Sequence, residues 1–177
     1  FGEHAGPVIE KSASSQPSPP SVRDSVKVLG ICKKINRTLN QEQKVVVIMR
    51  LYELLNADRR FTPQRMNIIN TVAEVFKISS DEFAATEQFV KNNETEKLKN
   101  DSILILTPEH EECELCKRML TGYQETNIFF LRIASVDLYF IKYISGEQLF
   151  LNGLPIRPGQ VYTFAKGGTL RSSTSYP

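Results

Sequence analysis

The chain has 177 residues, of which 41% are hydrophobic and 24% are charged, a composition typical of a globular protein of one or two domains. The net charge is only +2, so composition alone gives no reason to expect a nucleic-acid partner. Three cysteines are an odd number for a disulfide framework, which favours a reducing, cytoplasmic compartment. No segment approaches the roughly 20 apolar residues of a transmembrane helix, so we expect no membrane span in this chain.

The first 22 residues contain the segment SASSQPSPPS, in which serine and proline dominate. Such a composition buries too little apolar surface to offset the entropy lost when the segment becomes ordered. We therefore predict a flexible lead-in over residues 1–22. The alternative is a loop that joins this chain to helices outside it.

Apolar residues next recur at three- and four-residue spacing from Asp24 to Leu39, which predicts the first helix. Asn40 and Gln43 then have the spacing of a capping box. The segment QEQKVVVIMRLYELLNA that they introduce is apolar around most of its circumference, which is typical of a helix at the centre of a bundle.

Two more helix starts follow. Thr62 can cap a helix in which Pro63 takes the first position, where its missing N–H costs nothing. Ser79 and Glu82 have the spacing of a second capping box. These signals predict a helical domain over residues 23–95.

The hydrophobic period changes after residue 95. Short segments rich in β-branched and aromatic residues (SILIL, NIFFLRI, VDLYFIKYI, EQLFL, QVYTF and TLR) are separated by turn residues. Asn152-Gly153 is a strong signal for a two-residue hairpin. We predict an antiparallel β domain over residues 102–177, a sandwich or an open barrel. The fold class is therefore α+β, a helical bundle followed by an antiparallel β-sandwich.

The aromatic residues of these strands alternate with cations such as Arg132 and Lys142. A nucleic-acid face could have this pattern, but at a period of two some of the rings must face a core instead. We favour the core for the rings, which are Phe129, Phe130, Tyr139, Phe140 and Tyr143.

The segment HEECELC places His110, Cys113 and Cys116 close together. A structural zinc site needs four ligands, and the other histidine of the chain, His4, is far away in sequence. A redox-active pair of cysteines would need a thioredoxin-like βαβ context, which the pattern lacks. Cys32 falls in the first helix. We favour an acidic surface loop over a metal site here.

The segment LNADRRFTPQR raises the same question for Asp58. Its carboxylate is either a ligand or a turn residue that forms local hydrogen bonds and pairs with a nearby arginine. Arg59, Arg60 and Arg65 lie close by, and Arg65 needs an anionic partner because the first turn of a helix disfavours a cation. We favour a salt-bridged turn.

The segment AKGGTLR, which includes Lys166, Gly167 and Gly168, lacks the spacing of a P-loop. We expect a tight turn between strands there. We therefore predict no catalytic residue, no cofactor-binding residue and no metal ligand, and expect that this chain is not an enzyme.

The helical region resembles the TerB-like family, named for a tellurite-resistance protein. The similar segment is QEQKVVVIMRLYELLNADRRFTPQRMNIINTVAEVFKIS, in which Ala57-Asp58 and the cap Thr62 match the family pattern. The family commonly has Gly at the position of Arg59 and Glu at that of Arg65. The resemblance implies a helical bundle, and the family's acidic residues imply a metal or ligand site.

The β region resembles the C-terminal part of a forkhead-associated (FHA) sandwich. Asn152-Gly153 and the segment IRPGQVYTFAKGGTLR match, whereas the residues that recognise phosphothreonine in that family have no match. The order of the two regions, over residues 22–171, is similar to the N-terminal cytoplasmic region of ABC-transporter-like ATP-binding proteins of the Bacteroidetes.

Three functions are in competition. The first is a non-catalytic regulatory or protein-interaction region of such an ATP-binding protein, cytoplasmic or held at the membrane by the rest of that protein. Its partner would be a protein, either the parent's own transporter domains or another subunit, and not nucleic acid. The second is a stand-alone TerB-like protein that responds to metals or stress. The third, a small hydrolase or redox enzyme, is the least supported because only two histidines are present.

Overall fold

A computed structural model of the chain describes residues 22–59, 61–108, 117–121, 126–144 and 146–173. Four α-helices come first and eight short β-strands follow, with two 3-10 turns, Thr95–Lys97 and Ala134–Val136, among them. The α+β class and the change from helix to strand are therefore confirmed. The lead-in predicted for residues 1–22 lies outside the described residues except for Val22, which begins the first helix.

The helices are α1 (Val22–Thr38), α2 (Gln41–Ala57), α3 (Pro63–Phe76) and α4 (Ser80–Lys91). The capping box before α2 forms as predicted: the Asn40 side chain accepts from the Gln43 N–H at 2.8 Å, and the Gln43 side chain accepts from the Asn40 N–H at 3.0 Å. The Thr62 hydroxyl accepts from the Arg65 N–H at 3.4 Å, so the predicted cap of α3 is also confirmed.

Only half of the capping box predicted before α4 is present. The Ser79 hydroxyl accepts from the Glu82 N–H at 3.3 Å, as expected. The Glu82 carboxylate bonds instead to the N–H of Ser135 at 2.8 Å and to its hydroxyl at 2.9 Å. The carboxylate thus connects α4 to the 3-10 turn Ala134–Val136 between two strands.

The strands are β1 (Ile103–Thr107), β2 (Lys117–Leu120), β3 (Ile128–Ile133), β4 (Leu138–Tyr143), β5 (Leu149–Leu151), β6 (Leu154–Pro155), β7 (Tyr162–Phe164) and β8 (Leu170–Ser172). They form a five-stranded sheet in the order β2-β1-β3-β4-β7 and a three-stranded sheet in the order β6-β5-β8. All pairs are antiparallel except β1 with β2, which are parallel. The first sheet is therefore mixed, and the wholly antiparallel arrangement expected from the sequence is wrong at this edge.

The sequence pattern does not predict β2. Its four residues, KRML, show no alternation, and its burial is low throughout. Pairing with β1 in a parallel register, Leu104 opposite Lys117 and Leu106 opposite Met119, makes it a strand. That register depends on long-range contacts, which a local pattern does not carry.

The five-stranded sheet is apolar on both faces. The face that carries Ile103, Phe129, Leu131 and Phe140 shares one hydrophobic cluster with the helices. On the opposite face, Ile128, Ile141 and Tyr143 share a second cluster with Leu149 and Leu151 of the small sheet. Helices and β-strands thus have a continuous core between them, and the domain boundaries at residues 95 and 102 remain predictions.

The hairpin between β5 and β6 has the predicted turn. Leu151 pairs with Leu154, and both residues between them have positive φ, 51° at Asn152 and 82° at Gly153. The Asn152 side chain also accepts from the Thr169 N–H at 2.8 Å, which ties the turn to β8. None of the described helices is long and apolar enough to cross a membrane.

Candidate functional site

The loop between α2 and α3 contains the ion pair that the sequence predicts. Asp58 follows the last residue of α2, and its N–H donates to the Leu54 carbonyl at 3.3 Å. Its carboxylate lies 3.3 Å from the Arg65 guanidinium. Arg59 takes a left-handed conformation with φ 49°, which closes the turn. The structure therefore brings Asp58 and Arg65 together, and Arg60 lies outside the described residues.

The cysteine and histidine cluster lies beyond what the structure describes, because His110, Cys113 and Cys116 fall in the range 109–116. Within the described ranges, no three His, Cys, Asp or Glu side chains are grouped so that they could hold a metal ion. Cys32 is a free, buried thiol in α1, and burial raises its pKa.

The Gly167-Gly168 segment forms a turn between β7 and β8. The Gly168 N–H donates to the Ala165 carbonyl at 2.9 Å, and Gly167 has φ 81°. A side chain at Gly168 would lie 2.9 Å from that carbonyl oxygen. The prediction of a tight turn agrees with this geometry.

The aromatic residues of the strands divide between the two faces of the sheet. Phe129, Phe140 and Tyr143 are buried, as predicted for core residues. Phe130 and Tyr139 are only half-buried, and they lie on the face opposite the helices. A cleft lies on each side of the sheet.

The first, which we call the helix cleft, has a volume of about 660 Å³ and lies between α2 and the segment that enters β7. Arg50 and Glu53 of α2 bond to the carbonyl and the N–H of Val161 in that segment. The Arg50 guanidinium donates to the Val161 carbonyl at 2.9 Å, and the Glu53 carboxylate accepts from the Val161 N–H at 2.9 Å. The two side chains also form an ion pair with each other. Their charges are thus used to join helix and sheet.

Lys142 lines the same cleft and is a buried cation. It lies in β4 on the face that meets the helices, and only 2% of its surface is exposed. Its ammonium donates to the carbonyls of Phe89 and of Asn92, the latter at 2.6 Å, and lies 3.3 Å from the Asn93 side-chain oxygen. The ammonium therefore caps the C-terminal end of α4, where a cation is favoured.

No carboxylate of the described ranges forms a salt bridge with Lys142. Burial lowers the pKa of Lys142 to about 8. The rings of Phe89 and Phe129 add a cation–π contact each, with centroids 5.0 and 5.6 Å from the ammonium. The sequence carried one signal that Lys142 is buried, since this residue continues the period-two series of Leu138 and Phe140, which face the core.

The second cleft, which we call the sheet-face cleft, has a volume of about 580 Å³ and lies on the opposite side of the sheet. Its floor is apolar and half-buried, and is made of Leu104, Leu106, Phe130, Tyr139 and Phe164. The rings of Phe130 and Phe164 pack edge to face at 5.4 Å. Lys117 and Arg132 stand among these residues.

A polar cluster adjoins the sheet-face cleft. The Asp137 carboxylate accepts from the Tyr139 hydroxyl at 3.2 Å and from Arg132 at 3.1 Å, and lies 3.9 Å from the Lys166 ammonium. The hydrogen bonds from Tyr139 and Arg132 lower the pKa of Asp137. These residues line a smaller depression of about 450 Å³ that continues the cleft toward the Gly167 turn.

Comparison with protein-family models, with curated proteins and with solved structures found no match to this chain.

Proposed function

We propose that the chain is a non-catalytic regulatory or protein-interaction region of a larger ABC-transporter-like ATP-binding protein. One observation carries the proposal. In the loop Asp58 pairs with Arg65, and in the helix cleft Arg50 and Glu53 bond to the Val161 backbone. Charges that serve the architecture in this way are suited to a region that presents a surface to a partner.

The helical region would be a TerB-like bundle. Two features of the loop support this. Ala57 ends α2 and Asp58 follows it, and Thr62 caps α3, as in the family pattern. Arg59, where the family commonly has Gly, has φ 49°, a conformation that glycine adopts more readily than other residues. In this chain Arg65 neutralises the carboxylate that would otherwise be available to a cation.

The β region would be an FHA-like sandwich. In its favour, the two sheets share a hydrophobic cluster, and the turns expected from the resemblance occur at Asn152-Gly153 and Gly159 with positive φ. An FHA-like region without the phosphothreonine-binding residues would contribute shape and surface, and its partner would be the parent's own transporter domains or another subunit.

The gene supplies a direct test of this proposal. The reading frame beyond Pro177 should encode a P-loop and membrane-spanning segments. The ATP-binding part, purified separately and mixed with this chain, should bind it and change its rate of ATP hydrolysis at least twofold. A stop codon soon after Pro177, or an unchanged rate at saturating chain, would contradict the proposal.

Two titrations of the isolated chain separate the proposal from the metal-responsive alternative. Calorimetry should give no saturable ATP binding in the micromolar range. Calcium, magnesium and zinc should leave the NMR signal of Asp58 unchanged in the wild type and bind at most weakly to Arg65→Glu, which restores the family's acidic pair. Stoichiometric binding to the wild type that disappears in Asp58→Asn would instead support a TerB-like metal site.

A further inference from the structure

The part of the sheet that the small sheet leaves uncovered forms an apolar floor. Leu104 lies opposite Phe130, and Tyr139 lies opposite both Arg132 and Phe164, so these side chains share the face away from the helices. Met119, opposite Leu106, extends this face onto β2 and is 55% exposed. An open apolar surface of this kind marks an interaction or ligand-binding site more often than an ordinary protein surface.

The shape of the sheet-face cleft suits a small molecule. Its volume of about 580 Å³ is in the range of typical ligand pockets.

The charges around the floor favour an anion. Three cations, Lys117, Arg132 and Lys166, stand against two carboxylates, Asp101 and Asp137. Asp137 contacts two of the cations, Arg132 at 3.1 Å and Lys166 at 3.9 Å, and with Asp101 counted the five groups leave one net positive charge at the rim. A guanidinium has five N–H donors, so Arg132 keeps donors for a ligand while it holds Asp137.

We propose that the sheet-face cleft binds a small amphiphile with an apolar body and one anionic head group. The apolar body lies over Leu104, Leu106 and Phe130, and the head group is bound at the rim by Lys117 and Arg132. This site is independent of the parent protein proposed above, because each residue of it belongs to this chain.

The test uses decanoate, its neutral amide and decyltrimethylammonium as probes, each titrated into the full chain and followed by two-dimensional NMR and calorimetry. Decanoate should bind saturably, with shifts centred on Leu104, Leu106, Phe130 and Phe164. The neutral amide should bind at least about tenfold more weakly, and the cation more weakly still, because only the carboxylate gains the charge-assisted bonds. Equal binding of decanoate and the amide would overturn the proposal.

A charge-neutralising pair of substitutions locates the head group. Lys117→Gln with Arg132→Gln should weaken decanoate binding at least about tenfold. The matched control, Lys33→Gln with Lys34→Gln, removes the same charge from exposed positions on α1 and should change it less than twofold.

Both double variants alter exposed side chains, and an unchanged NMR spectrum away from the cleft verifies that they fold. Unaltered decanoate binding in the cleft variant would refute the site. So would shifts that appear only with an acidic peptide, since those would assign this face to a protein partner.

Discussion

The two faces of the five-stranded sheet hold their cations in opposite ways. Lys142, on the face that meets the helices, is 2% exposed and is neutralised by no described carboxylate; its ammonium is bound by carbonyl oxygens at the end of α4. Arg132, on the opposite face, has a side chain that is 55% exposed and pairs with Asp137. The two residues lie on neighbouring strands, Arg132 on β3 and Lys142 on β4.

Burial determines what each of these charges can do. A buried ammonium loses its hydration, so it is stable only while its hydrogen-bond partners stay in place, and it therefore links the position of α4 to that of β4. An exposed guanidinium keeps its water and contributes little to stability, so it is free to meet a ligand. Four experiments test this contrast between buried and exposed charges.

The largest effect is expected at the buried lysine. Lys142→Ala should lower the free energy of unfolding by about 2–4 kcal/mol, because it leaves the carbonyls of Phe89 and Asn92 without their donor and opens a cavity. Arg132→Ala on the other face should change it by less than about 0.5 kcal/mol. Urea unfolding of both variants measures the two values. Similar losses would mean that the buried and the exposed cation contribute equally to stability.

The second effect is a dependence on pH. The pKa of Lys142 is lowered from 10.5 to about 8 in the folded protein. Below pH 8 the amine is protonated in both states; between about pH 8 and 10 the unfolded chain keeps a proton that the folded chain releases. The unfolded state then binds more protons, so stability rises with pH, by up to about 1.4 kcal/mol per unit.

This slope is measured as a difference, so that other groups cancel. The free energy of unfolding of the wild type minus that of Lys142→Met should increase from pH 8 to pH 10 and stay flat from pH 6 to 7. Burial raises the pKa of Tyr52 and of Tyr143, which makes stability fall above pH 10 in both proteins alike. A flat difference across the whole range would show that Lys142 titrates as an exposed lysine does.

A smaller effect is expected where α2 holds β7. Glu53→Ala removes the acceptor of the Val161 N–H, and Val161 is buried, so we expect a loss of about 1–3 kcal/mol. Glu53→Gln keeps an oxygen in reach of that N–H and should lose clearly less. Equal losses for the two variants, measured by thermal unfolding, would mean that the charge of Glu53 matters more than the hydrogen bond.

The sequence could predict the features that depend on neighbours in the chain. The Asn40 capping box, the Thr62 cap and the Asn152-Gly153 turn each involve residues within a few positions of one another, so spacing and residue type were enough. The class of the fold followed from the change of hydrophobic period.

The features that sequence missed depend on distant residues. The partners of Lys142 are 53 and 50 positions away, and Glu82 reaches Ser135 at a separation of 53, so nothing in the local pattern identifies them. The parallel register of β2 likewise depends on its pairing with β1, which the local pattern does not show. The sheet-face cleft was missed because it depends on how much of the five-stranded sheet the small sheet covers, and Phe130 and Tyr139 look like core residues by pattern alone.

The smallest effect concerns the exposed ion pair of Asp58 and Arg65, the surface counterpart of the buried lysine. Their side chains are 52% and 36% exposed and 3.3 Å apart, so a double-mutant cycle with Asp58→Asn and Arg65→Gln should give a coupling of about 0.2–1 kcal/mol that weakens in salt. Arg65→Gln alone should be close to neutral, since losing the pair is offset by removing a cation from the first turn of α3. A coupling above about 2 kcal/mol, insensitive to salt, would place this pair with Lys142 among the charges that hold the fold.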